Sequence, residues 1–368
     1  MIIKNINAFI DGKFTKTDIT IENGVFSALS LTDSDGINDY EDLFAIPGLV
    51  DIHTHGCAGY DFSSAKPDEI NAMRMYYLRN GITTILPTTV ALSDENIKKA
   101  VKNIEAAMKD NIGADIAGIN LEGPYLSASK CGAHDISLLK EPDIDFVNSL
   151  GENIKVVHVA PEYTKAFDFI KKFQGKVSIA HTACNYETAM EAIRLGADHI
   201  THIFNAMNPI HHREPGVIGA FFDSDAYAEI ICDSIHIASP LLRMMFNSYG
   251  DRLAVISDSM AATGLEDGTY KLGALDVHVK DCVATLENGT LAGSAMNIFS
   301  MMKNLINIGI SPETAIKSVT EIPAKSLNID NLCGKIDLGF KADLVIIDRN
   351  HNIKKIIKNG TSLDNILN

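Results

Sequence analysis

The chain has 368 residues, 46% of them hydrophobic and 21% charged, which is ordinary for a folded globular protein and excludes a disordered one. With 32 Lys and Arg against 47 Asp and Glu, the net charge is −15 and no basic stripe is visible, which argues against a nucleic-acid partner held by electrostatics. Aromatic residues are only 7% and Trp is absent, so small and branched aliphatics must fill the core.

Residues 1–45 open with MIIKNINAFIDGKFTK, which lacks the apolar region of a secretory signal. This segment alternates in the manner of strands, with Asp11-Gly12 and Asn23-Gly24 as turn signals. Eight short apolar runs follow: Gly48–His53, Ile82–Pro87, Ile116–Leu121, Lys155–Ala160, Val177–His181, His199–His202, Glu229–Cys232 and Leu253–Asp258. Each is rich in Val, Ile or Leu, as expected of strands buried on both faces. The segments between them read as helices. In Asp94–Asp110 the apolar residues fall at Ile97, Val101, Ile104 and Met108, after Ser93 as N-cap. Tyr186–Leu195 behaves similarly and stops at Gly196. Thr269–Leu291 reads as a hairpin-like insertion in the last unit, and Gly334–Asn368 again as strand and turn.

Eight strand–helix units predict an α/β fold, a (β/α)8 TIM-like barrel over residues 46–334. The two β-rich ends, 1–45 and 335–368, predict a small β domain, a β-sandwich formed by the N- and C-terminal segments. No run reaches the roughly 18 apolar residues of a membrane span. The six cysteines form no CxxC pair and read as reduced thiols, so the expected location is cytoplasmic, with no membrane partner.

The strongest local signal is Asp51-Ile52-His53-Thr54-His55-Gly56. Residues i and i+2 of a strand point to the same side, so His53 and His55 can face one metal ion. Glu122, His181, His202 and Asp258 follow or end the third, fifth, sixth and eighth predicted strands. All lie on the C-terminal rim, where barrel enzymes build active sites. Imidazole and carboxylate donors suit Zn2+ or Fe2+, and the absence of thiolates argues against a closed structural site. His134 sits in a Gly-flanked loop and His236 follows the seventh strand, positions that favour function over packing. His158 ends the fourth strand and reads as a core or supporting histidine, and Cys57 as a packed thiol.

These features, with PGLVDIHTHG and GKIDLGFKADLVIID at the entry and exit, resemble the amidohydrolase superfamily. More narrowly, LEGPYL, KCGAHD, THIFNAM, HHREPG, DSIHI, SDSMAATGLEDGTYKLG and LAGSAM resemble the N-acetylglucosamine-6-phosphate deacetylase family. The chain departs from that pattern at Cys131, where Lys is frequent, at Ser234, where Gly is commoner, and at Ser257 and Ser259, where Thr and Ala are commoner.

The resemblance implies Glu122, His181 and His202 as the principal metal ligands. It implies His53 and His55 as a second metal position bridged by Glu122, with one or two ions per subunit. It implies Asp258 as the catalytic aspartate, His134 beside the scissile carbonyl, and His236 in substrate binding. Asn205, Ala206 and Arg213 would contact the phosphate of a phosphosugar, with Arg213 reaching the neighbouring active site of a homodimer. The implied reaction removes the N-acetyl group of N-acetylglucosamine 6-phosphate, a step of amino-sugar catabolism. A metal-activated water attacks the amide, with Asp258 as general base and then acid. N-acetylgalactosamine 6-phosphate and a different N-acyl substrate of another amidohydrolase stay open as alternatives.

Overall fold

A computed structural model describes residues 1–31 and 40–366 of the chain. Residues 32–39 and 367–368 of the two terminal segments lie outside the described residues. Eight parallel strands pair in chain order: Leu49–Thr54, Ile82–Thr89, Ile119–Leu121, Ile154–Val159, Lys176–Ile179, His199–Ile200, Tyr227–Ile231 and Leu253–Ile256. Helices alternate with them, which is why the strands carry near-continuous apolar runs. The ring closes at its C-terminal mouth. There the Asp258 N–H donates to the His53 carbonyl at 3.0 Å and the His55 N–H to the Ser259 carbonyl at 2.8 Å. Strand one and strand eight are thus joined by the same residues that carry the site.

Gly48 enters the first strand where a side chain would not fit, since a Cβ there would lie 2.2 Å from Thr83 Oγ1. The third run is interrupted: Asp115–Ile116 pairs only with the second strand, and Ile119–Leu121 completes the barrel. The helix expected over Asp94–Asp110 is capped by Ser93 and ends at Ala107. It stops early because Lys109 and Asp110 donate to Ala106 and Ala107, a tighter three-residue turn. The helix Tyr186–Arg194 stops where expected, with Gly196 at φ 120°.

The chain ends meet in one seven-stranded sheet. Its order is Thr361–Ser362, Ile353–Lys358, Leu344–Ile347, Phe44–Pro47, Ile2–Ile10, Lys13–Glu22 and Val25–Leu29. Both predicted turns hold, with Asp11, Gly12, Asn23 and Gly24 all at positive φ. Ile3, Ile6, Ile19, Phe26, Leu344, Ile346 and Ile357 form a core of their own. A three-stranded insertion, Gly268–Leu272, Leu275–Lys280 and Val283–Thr285, packs Leu272, Val277 and Ala284 onto Val90, Met260 and Ala292. It thereby roofs one side of the barrel mouth.

Candidate metal centre and active site

All six residues of Leu49–Thr54 are buried, and His53 and His55 emerge at its C-terminal end with their Nε2 atoms 3.3 Å apart. Glu122 directly follows Leu121, its N–H held by the Thr89 carbonyl at 3.1 Å. His181, His202 and Asp258 each stand two residues past a strand, at φ 43°, 27° and 46°. A left-handed backbone at a non-glycine residue costs about 1–3 kcal/mol, and such strain gathers at functional sites. Here it turns each side chain inward over the ring.

Glu122 joins two clusters. Its Oε2 lies 2.8 Å from His55 Nε2 and 3.5 Å from His53 Nε2, and Asp258 Oδ1 lies 3.2 Å from His55 Nε2. Its Oε1 lies 3.1 Å from His181 Nε2 and 3.0 Å from His202 Nε2, which are themselves 3.1 Å apart. The outer face of three rings is already engaged: His181 Nδ1 with the Lys130 carbonyl at 2.8 Å, His55 Nδ1 with the Thr88 carbonyl at 3.2 Å, and His53 Nδ1 with Glu229 Oε2 at 2.8 Å. An N–H on Nδ1 leaves the Nε2 lone pair facing inward. Ring nitrogens that converge with ionised carboxylates share either protons or a metal ion, and these nitrogen and oxygen donors together fit a divalent metal ion. Such an ion is what the amidohydrolase likeness implies.

The electrostatics agree. Burial opposes charge on His53 and His55, yet the surrounding carboxylates hold His53 well above its ordinary value and His55 at about 9. Burial also opposes ionisation of Asp258, but the neighbouring imidazoles draw it down to about 2. Glu122 is likewise held well below the usual carboxylate range, against its burial, by His53 and the other rings. His181, pressed by burial, falls to about 4 and stays neutral.

A cavity of about 300 Å3 opens over the centre. His134, Asn205, Ala206, His236 and Asp258 all line it, so the structure brings these expected site residues together with the metal donors. His134 Nδ1 accepts the Ala91 N–H at 3.1 Å, which puts the ring proton of a neutral imidazole on Nε2. His134 therefore offers a donor to the cavity. His236 Nδ1 is fixed by Asp233 Oδ2 at 2.7 Å. Val90, Ala133, Leu272 and Leu291 form an apolar wall.

Arg213 does not line this cavity. It is exposed, with Nη1 2.7 Å from His212 Nε2, and borders a separate cavity of about 740 Å3 with Tyr186, Asn208 and His211. The local turn, with the Glu214 N–H donating to the His211 carbonyl at 3.1 Å, carries the loop outward. His211 and His212 are exposed beside it. His158 is buried, and its Nδ1 approaches Glu122 Oε1 to 3.5 Å without a hydrogen bond. Cys57 is buried as expected, with Sγ 3.8 Å from the Met73 carbonyl.

Three residues at the site escaped the sequence reading. Lys130 is the one Lys or Arg among the described residues lining the cavity, and its Nζ donates to the Met207 carbonyl at 3.4 Å. Asp233 holds His236, and Glu229 holds His53. A signal existed for the last: an acid inside an otherwise apolar parallel strand is out of place unless it has a partner.

The family model that matches the chain is that of the amidohydrolase family, over residues 44–363. N-acetylglucosamine-6-phosphate deacetylase of Vibrio furnissii is 32% identical over 364 residues, 94% of this chain and 91% of the relative. N-acetylgalactosamine-6-phosphate deacetylase of Escherichia coli O157:H7 is 31% identical over 320 residues, 84% of this chain and 85% of the relative. A solved structure of an N-acetyl-D-glucosamine-6-phosphate deacetylase mutant from Mycobacterium smegmatis, in complex with N-acetyl-D-glucosamine-6-phosphate, gives a TM-score of 0.93 at 28% identity and covers 98% of both chains. The family match takes in the whole barrel and every strand end that carries a donor, so the chain belongs to the amidohydrolase family.

Proposed function

We propose that this chain is a metal-dependent hydrolase that removes the N-acetyl group of N-acetylglucosamine 6-phosphate, giving glucosamine 6-phosphate and acetate. One observation carries the reading: Asp258, the Nε2–H of His134 and the inward donors of the metal centre face one cavity of about 300 Å3. The 32% identity with the Vibrio furnissii enzyme supports this substrate. A bound divalent ion, Zn2+ or Fe2+, supplies Lewis acidity toward a water and the amide carbonyl. We assign its binding to Glu122, His181 and His202, with His53 and His55 completing a second position.

The rest falls to side chains. Asp258 is ionised at neutral pH, so it takes a proton from the attacking water. It returns that proton to the departing amine, which is otherwise a poor leaving group. His134 donates from Nε2 to the developing oxyanion. His236, fixed by Asp233, orients the sugar. Asn205 and Ala206 present a turn with Ala206 at φ 51°; the Asn205 main-chain N–H is taken by the His202 carbonyl at 2.9 Å, which leaves the Ala206 N–H and the Asn205 side-chain amide to meet a phosphate. Arg213 serves the phosphate of the neighbouring active site in a homodimer, which accounts for its place outside the cavity of its own chain. The enzyme acts in the cytoplasm, in amino-sugar catabolism. Among the described residues no helix is long and apolar enough to cross a membrane.

The likeness to the Escherichia coli galactosamine enzyme favours a second reading, the same chemistry on N-acetylgalactosamine 6-phosphate. The two sugars differ in configuration at C4. Comparing kcat/KM on the two phosphosugars tests the choice: preference for the gluco form is expected, and preference for the galacto form overturns it. Equal turnover of N-acyl compounds with and without phosphate would instead favour a different N-acyl substrate.

A further inference from the structure

The chemistry above leaves two acids in the barrel wall unused, Asp51 and Glu229, both buried. Asp51 Oδ1 takes main-chain donors, the Ser257 N–H at 3.2 Å and the His53 N–H at 3.4 Å. Glu229 is different. It sits in the seventh strand among Ala228, Ile230 and Ile231, and among the described residues it has no Lys or Arg partner. Its Oε2 is 2.8 Å from His53 Nδ1, and its Oε1 has no hydrogen-bond partner among the described residues. His158 stands in the same cluster, but burial drives it down to about 4, so it brings no charge.

A buried carboxylate without a cation is costly unless it is paired. What Glu229 addresses is the outer nitrogen of one ligating ring. His55 and His181 rest their Nδ1 atoms on main-chain carbonyls, whereas His53 alone rests on an ionisable group. A carboxylate at Nδ1 keeps the proton there, fixes the ring, and makes the Nε2 lone pair a stronger donor. It also adds a third negative charge beside Glu122 and Asp258.

We infer that Glu229 is a positioning residue that fixes the His53 ring through Nδ1, so that His53 can hold a divalent ion in the His53–His55–Glu122–Asp258 half. This role rests on the ligand assignment proposed above, does not depend on which phosphosugar is cleaved, and is tested without substrate.

The metal-free protein is titrated with Zn2+ by equilibrium dialysis and with Co2+ by visible absorption. The wild type is expected to bind two ions per chain. Glu229→Gln keeps the shape and removes the charge; it should keep the first ion at wild-type affinity and weaken the second by about 10–100-fold. The Co2+ spectrum should lose the second ion's component in parallel. Glu229→Asp, which keeps the charge on a shorter arm, should fall between them. Saturation of the wild type at one ion, or two unchanged affinities in Glu229→Gln, would overturn the inference. A structural role alone predicts lower thermal stability with unchanged ion binding, which also overturns it. If Glu229→Gln does not fold, histidine 15N NMR of the Zn2+-saturated wild type decides: a neutral His53 ring with its proton on Nδ1 is expected, and a neutral ring with its proton on Nε2 overturns the proposal.

Discussion

Asp258 Oδ1 stands 3.2 Å from His55 Nε2, while the main-chain N–H of Asp258 donates to the carbonyl of His53 at 3.0 Å. The residue assigned to carry the proton is thus anchored to the strand that bears two metal donors. Its backbone carbonyl accepts the Ser294 N–H at 2.7 Å, which completes the hold. Asp258→Asn keeps an oxygen toward the metal and removes the base. It should retain fold and bound metal, and lose about 10²–10⁴-fold in kcat. Steady-state kinetics with metal analysis check this, and near-normal kcat would remove the proton shuttle.

The same crowding sets a pH dependence for metal uptake. His55, held at about 9 by Asp258 and Glu122 against its burial, carries a proton at neutral pH in the metal-free chain. An ion must displace that proton. Affinity should therefore rise with pH and level off above about 9, with net proton release at pH 7. Calorimetry in buffers of different ionisation enthalpy measures the release. The linkage for folding runs the other way. A raised histidine stabilises the metal-free fold below its unfolded value of about 6.5, and that contribution is lost as pH climbs through the folded value.

Lys130 places its ammonium against the Asn205–Met207 turn, 3.4 Å from the Met207 carbonyl. That is the side of the cavity assigned to phosphate. A charge-assisted hydrogen bond is worth roughly 1.5–3 kcal/mol, or about 10–100-fold. Lys130→Ala should raise KM for the phosphosugar by that factor and leave KM for the unphosphorylated sugar nearly unchanged. Equal effects on both sugars would place Lys130 outside phosphate binding.

Gly293 holds Asp258 from behind. It sits at φ 66°, and a Cβ there would lie 2.8 Å from the Asp258 carbonyl oxygen. Gly293→Ala forces that carbonyl aside, so it should lower stability by about 1–3 kcal/mol and depress kcat more than it raises KM. Thermal unfolding and kinetics on one preparation separate the two effects.

Much of the barrel was legible because buried parallel strands leave a simple mark, short Val/Ile/Leu runs at regular spacing. The donors were legible where chemistry and position coincide: His53 and His55 by their i, i+2 spacing, and Glu122, His181, His202 and Asp258 by following strands. Glu229 was half legible: an acid inside such a run, in AEII, marks a need for a partner, but alternation gives no hint that the partner is a histidine 176 residues earlier. Lys130 gave no signal. A loop lysine reads as a solvated charge until the chain folds it beside Met207. The outward course of Arg213 depends on a turn between His211 and Glu214 that spacing does not encode. Ser234 stands where the family more often has Gly, and it takes φ 63°, a glycine-favouring conformation. Its hydroxyl, bonded to Asn304 Nδ2 at 2.8 Å, helps to hold it there.

Amide cleavage by this chain should depend on a divalent ion. The direct measurement follows acetate released from N-acetylglucosamine 6-phosphate by protein as purified, after chelation, and after return of Zn2+ or Fe2+. Acetate in equal amount to glucosamine 6-phosphate, lost on chelation and regained with metal, is the predicted result. Metal-loaded protein that binds the phosphosugar and releases no acetate would contradict it.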